Sequence, residues 1–223
     1  HARILHWPEH LKLKMNGVFM LVIGLTGGIG VGKSEVANVL SSFGVPIINA
    51  DKEGHKTYEH GTIGWRRIVE LFSSEILGED GEVDRKKLAA LVFNDSDARA
   101  WLNAAIHPLI REQVSNVIGF YEKVEKKKIV ILDAALLYQA NWHDLCDEVW
   151  LITANPVDLI YKRLAKRGLT SEEIKKRLDS QGDYEALIDR ADVHIENSFS
   201  VRNLHKTVHS IWADKIQALQ KED

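Results

Sequence analysis

The 223-residue chain holds one cysteine, two methionines and four prolines. A lone Cys146 excludes an internal disulfide and suits a reducing compartment, where a buried thiol is its ordinary role. No apolar run is longer than that of Val18–Ile23, which is far too short to cross a bilayer. Strong charge of either sign is missing too: the formal net charge is −3 and the pI about 6.4. Nucleic acid and anionic membranes call for a basic face or tract, so neither is an expected partner, and any phosphate site must be locally basic. Residues 1–14 carry charges throughout and lack a hydrophobic stretch, so they do not form a secretory signal and the cytoplasm is the expected location. Residues 1–19 are read as an N-terminal extension, native or added, with Met15 and Met20 as candidate natural starts. Internal repeats, low-complexity segments and Pro/Gly-rich linkers are likewise absent.

What is present is the makeup of a globular protein, 45% hydrophobic and 27% charged, with enough chain for a real core. The run Met20–Leu25 reads as a strand, and the apolar spacing of Val36, Val39 and Leu40 predicts a helix ending near Gly44. Further strands are expected at Val45–Ala50, Ile129–Leu132, Glu148–Thr153 and Val193–Ile195. Pro156 stands where a helix can begin, Thr170 with Glu173 forms a capping box, and a last helix covers Val201–Leu219. Strands separated by helices imply an α/β fold, an open, doubly wound parallel sheet of five strands. The strand-poor block from about 52 to 125 then becomes a helical insertion.

Between the first strand and helix lies Gly27-Gly28-Ile29-Gly30-Val31-Gly32-Lys33-Ser34, a G-x-x-x-x-G-K-[ST] sequence. Glycines let the backbone curl until its N–H groups converge on phosphate oxygens, and the following helix adds its positive end. Lys33 is placed to reach the outer phosphates, and the Ser34 hydroxyl to hold Mg²⁺. A chance match in a chain of this length has a probability on the order of 1% before context is counted. The strand before and helix after the loop make it smaller still.

A GTPase is the first alternative, because Asp51-Lys52-Glu53-Gly54 reads D-x-x-G and Asn155-Pro156-Val157-Asp158 resembles N-K-x-D. It fails because the loop and Asp51 are too close for a switch segment and Pro156 lacks a lysine stem. A small-molecule kinase instead needs a carboxylate for the acceptor hydroxyl, another near the metal, and mobile cations over the phosphate. Asp51, at the carboxyl end of the second strand, can orient or deprotonate the acceptor; the competing role is a helix N-cap. Asp133 ends the Ile129–Leu132 strand and can hold Mg²⁺ through water, or make a structural bond to the loop. Arg163 and Arg167, four apart, share one helix face that closes over ATP or is merely solvated.

With these residues in place the sequence resembles the dephospho-CoA kinase family over about residues 20–200. The likeness is carried by GLTGGIGVGKS at 24–34, Ala50-Asp51, GEVDR at 81–85, Trp101-Leu102-Asn103 and His107-Pro108-Leu109-Ile110. It continues through Leu136-Leu137, Arg163 with Arg167, Ser180-Gln181, Ala191-Asp192 and Asn197. The resemblance implies phosphorylation of the ribose 3′-hydroxyl of dephospho-CoA by ATP, the last step of coenzyme A synthesis. It makes Lys33, Asp51 and Arg163 catalytic, with Asp51 the acceptor base. It also implies ATP binding by Gly28, Ile29, Gly30, Val31, Gly32, Lys33, Ser34, Glu35, Arg163 and Arg167. The acceptor is met by Asp51, His107 and Arg111, although His107 alone reads as well as a cap or core residue. Residues 20–54, 126–163 and 186–223 become the nucleotide-binding core, 55–125 an acceptor domain and 164–185 a lid. The expected assembly is a monomer or weak homo-oligomer. Asn49, His55 and the segment Ala134–Gln139 depart from the family pattern, and His55 and Gln139 are therefore left outside the site. Those departures keep open a kinase for another hydroxylated metabolite and a non-catalytic nucleotide sensor.

Overall fold

The computed structural model of the protein describes residues 2–4 and 20–220; the rest of the 1–19 extension, including Met15, and residues 221–223 lie outside the described residues. The chain divides into two compact units, one of residues up to Ile47 together with Tyr121 onward, the other Ile48–Phe120.

In the first unit β2 (Leu21–Gly27), β4 (Ile129–Asp133) and β5 (Glu148–Thr153) are buried along their whole length, as the continuous apolar runs require for strands covered on both faces. β2 pairs in parallel with β4 on one side and β5 on the other, and β5 pairs in parallel with β6 (Val193–Glu196). With β1 (Ala2–Ile4) and β3 (Ile47–Asn49), the order among the described residues is β1-β6-β5-β2-β4-β3. The connections from β2 therefore leave in opposite directions, and the crevice at its carboxyl end is where ligands of such sheets collect. The parallel five-stranded sheet is as expected. The unexpected element is β1, which adds an antiparallel edge strand through Ala2↔Ile195 and Ile4↔Val193. A three-residue strand in a charged leader has no periodicity by which sequence reasoning can find it.

Helices α1 (Lys33–Ser42), α6 (Val157–Ala165), α7 (Ser171–Gln181) and α8 (Val201–Gln220) belong to this unit. Its core packs Ile23, Leu25, Leu40, Ile131, Trp150 and Ile195 against Leu164 and Val208. One ion pair is buried with them: Lys215 on α8 meets Glu148, which also accepts from Trp150 Nε1 at 2.7 Å. Charges so deep persist only when partnered in this way. The capping box at Thr170 and Glu173 closes the start of α7 as the sequence predicts.

The second unit is helical: α2 (Ala50–Lys56), α3 (Ile63–Phe72), α4 (Arg85–Asn94) and most of α5 (Ser96–Lys123). It has its own core of Ile68, Ile76, Val83, Leu88 and Ile106. Asp84, within the GEVDR segment, caps α4 by accepting from the N–H groups of Lys86 and Lys87. Among the described residues no helix is long and apolar enough to cross a membrane.

Candidate active site

The phosphate loop leaves the buried end of β2 and is shaped from behind. Gly30 and Gly32 have φ of 77° and 101°, a left-handed backbone that favours glycine. A Cβ on Gly32 would also lie 2.3 Å from Asn197 Nδ2. That amide, on a residue only 6% exposed, donates to the Val31 carbonyl at 2.7 Å. Arg163 donates through Nη1 to the carbonyls of Gly30 and Val31, each at 3.3 Å, and through Nη2 to that of Asn197 at 2.8 Å. In a trans peptide the N–H points opposite its carbonyl, so drawing these two carbonyls outward turns the Val31 and Gly32 amides inward. α1 then starts on Gly32 with no side-chain cap, leaving its positive end to an anion.

Lys33 forms an ion pair with Asp133 at the end of β4, and the aspartate is 5% exposed. Ser34 lies exposed in the first turn of α1. The Glu35 carboxylate is turned away onto α8, 2.6 Å from His205 Nε2, which spares the anion site its charge. Of the expected arginine face, Arg163 is half-buried as the brace just described, and Arg167 is exposed. Burial, and then the nearby charge of Arg167, lower the Arg163 pKa from its usual value, and the group remains a cation at neutral pH.

Gln181 and Tyr184, which sequence reasoning gave no role, cover the front of the loop. The Ile29 N–H donates to Gln181 Oε1 at 2.7 Å. Tyr184 OH donates to the Ala135 carbonyl at 2.7 Å, where Thr26 Oγ1 also donates at 3.1 Å. Burial raises the pKa of the Tyr184 phenol, keeping it a donor. Gln139 Nε2 donates to the Gln181 carbonyl at 2.9 Å. Asn197 was visible in the sequence only through the family pattern, since nothing in its neighbourhood marks a loop brace. Cys146, expected as a buried thiol, is a half-buried free cysteine, and burial is the first cause of its raised pKa.

The remaining candidates belong to the second unit. Asn49, not Asp51, caps α2, accepting from the Lys52 N–H at 2.9 Å. The Asp51 carboxylate is exposed and makes no hydrogen bond or ion pair among the described residues, so the competing cap role is taken by Asn49, two residues before it. Its charge is felt by His55 and Tyr58. Burial lowers the pKa of His55, Arg85 adds to this and Asp51 opposes it. His107 and Arg111 are partly buried one turn apart on α5, and burial lowers the pKa of His107. A cavity of about 700 Å³ in this unit is lined by His55, Tyr58, Glu82, Arg85 and Lys86 among others. The structure thus groups His55 with residues of the GEVDR segment, which the sequence reading had left outside the site.

Comparison with known proteins gives a consistent answer. The dephospho-CoA kinase family matches residues 21–203. The chain is 35% identical over 191 residues to dephospho-CoA kinase of Shouchella clausii, covering 86% of this chain and 96% of that one. It is 37% identical over 196 residues to that of Moorella thermoacetica, covering 87% and 92%. The solved structure of dephospho-CoA kinase from Campylobacter jejuni aligns with a TM-score of 0.67 at 28% identity, over 88% of this chain and 98% of that one. Because the matched span runs from the first residue of β2 into α8, taking in the whole phosphate loop, Asp133 and the second unit, the chain belongs to the dephospho-CoA kinase family, an ATP-dependent phosphotransferase.

Proposed function

We propose that the protein transfers the terminal phosphoryl group of ATP to the ribose 3′-hydroxyl of dephospho-CoA, yielding CoA and ADP. The observation that carries this reading is the phosphate loop: its carbonyls are pinned outward by Asn197 and Arg163, and α1 opens uncapped beyond it. Such a surface of fixed amides needs no rearrangement as charge builds on the transferring group. Lys33, held on Asp133, supplies an ammonium for the outer phosphate oxygens. Asp51 accepts the hydroxyl proton as the acceptor oxygen bonds to phosphorus and the bond to the leaving ADP oxygen breaks. His107 and Arg111 contact the acceptor, in a domain of residues 55–125, and Arg167 joins Arg163 at the phosphates when residues 164–185 close as a lid.

The Ser34 hydroxyl and, through water, the Asp133 carboxylate would hold Mg²⁺, and hard oxygen donors of this kind suit that ion. Among the described residues no group of three or more His, Cys, Asp or Glu could hold a metal. When bound, Mg²⁺ would neutralise charge developing on the phosphates. The reading places the protein in the cytoplasm, as a monomer or weak homo-oligomer acting on small molecules alone.

The test is to incubate purified protein with Mg-ATP and a panel of hydroxylated acceptors, following CoA and ADP by chromatography. Formation of CoA in step with ADP is expected. Failure of dephospho-CoA beside turnover of a nucleoside monophosphate or sugar acid would overturn the acceptor assignment.

A further inference from the structure

Gln181 is the last residue of α7, and its side-chain amide is fixed at one end only. Because Ile29 N–H is a donor, the group facing it must be the amide oxygen, and the 2.7 Å bond settles which way the amide is turned. Its Nε2 then carries two N–H donors that no described residue accepts. The backbone of the same residue is tied down independently by Gln139 Nε2 at 2.9 Å. Gln139 also hydrogen-bonds Tyr184, whose hydroxyl is anchored on Ala135.

Lys33 is paired with the last residue of β4, and Gln181 is tied to the segment that leaves β4, Ala135–Gln139. The Gln181 side chain itself is held on Ile29, within the same phosphate loop that carries Lys33. A cavity of about 230 Å³ is lined by Gly28, Ile29, Gln181 and Tyr184 among others. A planar amide held by its oxygen on the loop presents its nitrogen one amide width from a loop whose N–H groups are of the kind that bind polyphosphate.

We propose that Gln181 is a further catalytic residue, donating from Nε2 to an oxygen of the terminal phosphate of the bound nucleoside triphosphate, with Gln139 as its positioning residue. The inference rests on the kinase reading above for the chemistry, and on Ile29, Gln139 and Gln181 alone for the geometry. It explains why an amide stands at 181: a carboxylate would satisfy Ile29 equally well but would bring no donor and would repel phosphate. It also gives Gln139, a departure from the family pattern, a task that glutamate cannot perform, since glutamate has no hydrogen to give the Gln181 carbonyl.

The experiment compares Gln181→Leu, Gln181→Glu and Gln139→Leu with the natural chain. Calorimetry measures affinity for Mg-ADP and for the magnesium complex of the β,γ-imido analogue of ATP, and single-turnover kinetics measures transfer. For Gln181→Leu, transfer falls roughly 10²-fold, as for loss of one preorganised donor. ADP affinity stays within about 2-fold, so the gain in affinity from ADP to the imido analogue shrinks. Gln181→Glu keeps the acceptor for Ile29 yet does not rescue, which a role in merely fastening α7 would allow. Gln139→Leu, an exposed position, lowers transfer by about 10-fold through misplacement, with ADP affinity and melting temperature unchanged. An unchanged affinity ratio in Gln181→Leu, rescue by Gln181→Glu, or tighter nucleotide binding in either Gln181 variant, the mark of a side chain that only occupies the empty loop, overturns the proposal. The affinity ratio does not depend on the acceptor, so a protein that phosphorylates something other than dephospho-CoA removes the acceptor reading and leaves this test decisive.

Discussion

The two compact units hold their candidate residues in opposite ways. In the first, the phosphate loop is fastened at four of its eight residues: Ile29 by Gln181, Gly30 and Val31 by Arg163, Val31 again by Asn197, Lys33 by Asp133. In the second, Asp51 is an exposed carboxylate with no bonded partner among the described residues, on a seven-residue helix. A triphosphate is the same in every encounter, so a surface for it can be built in advance, and the organising cost is met on folding rather than on binding. A proton acceptor must stay free until its substrate arrives, so a carboxylate consumed by a cap or an ion pair would be useless in that role. The contrast teaches that rigidity marks the nucleotide grip, while an unused polar group marks the chemistry.

The largest effects should separate the two. Asp51→Asn is expected to lower turnover by about 10²- to 10⁴-fold, as for loss of a general base, with ATP affinity nearly unchanged. Equal activity in this variant would remove the proposed base, and a parallel fall in ATP affinity would erase the distinction between the units. Gly32→Ala tests the other side. The left-handed backbone and the 2.3 Å approach to Asn197 force the loop to move, and ADP affinity is expected to drop by at least about 10-fold in calorimetry. Smaller again is Asn197→Ala, which leaves the Val31 carbonyl with only the longer Arg163 contact. Its cost, read from urea unfolding, is about 0.5–1.5 kcal/mol, the range for one lost hydrogen bond whose acceptor keeps another donor. A loss confined to nucleotide affinity, with stability intact, would show that the brace is less rigid than its bonds imply.

Much of this was legible in the sequence, for reasons that differ by element. Apolar runs bounded by turns located β2, β4 and β5, because strands buried on both faces tolerate little else, while β6 shows only the alternation of Val193 and Ile195 with half-buried polar residues. The loop was legible because each fixed position answers a steric or chemical demand that few residues meet. The expected Val45–Ala50 strand shrinks to Ile47–Asn49, because the Asn49 side chain turns the chain into α2 and Ala50 becomes its first residue. That cap is what released Asp51, and a pattern of two polar residues flanking Ala50 cannot say which of them caps. Gln181, Tyr184 and Asn197 were out of reach as contacts. They lie 152 residues from Ile29 in the first case and 166 from Val31 in the last, and no periodicity links residues so far apart. Arg163 was found by its spacing to Arg167, but only packing shows it bonded to loop carbonyls.

The smallest expected effect, on acid stability, asks whether the looser unit also yields first. His55 and His107 both lie in Ile48–Phe120, and burial lowers the pKa of each. A histidine whose folded pKa is depressed binds its proton more readily when unfolded. As pH falls below the unfolded value of about 6.5, the unfolded chain therefore takes up protons first and stability declines, until the folded pKa values are passed. Above about pH 6.5 neither group contributes. Between pH 7.5 and 5.5 the urea midpoint should fall, and the fall should shrink in the His55→Gln, His107→Gln double variant. The window stays above the range of Glu53, whose pKa is lowered from an already acidic value. Hydrogen exchange resolves where the loss resides: amides of α3 and α5 should lose protection on acidification before those of β2. Equal loss in both places would mean that the units unfold as one, and that the slackness at Asp51 belongs to a single side chain rather than to the domain that carries it.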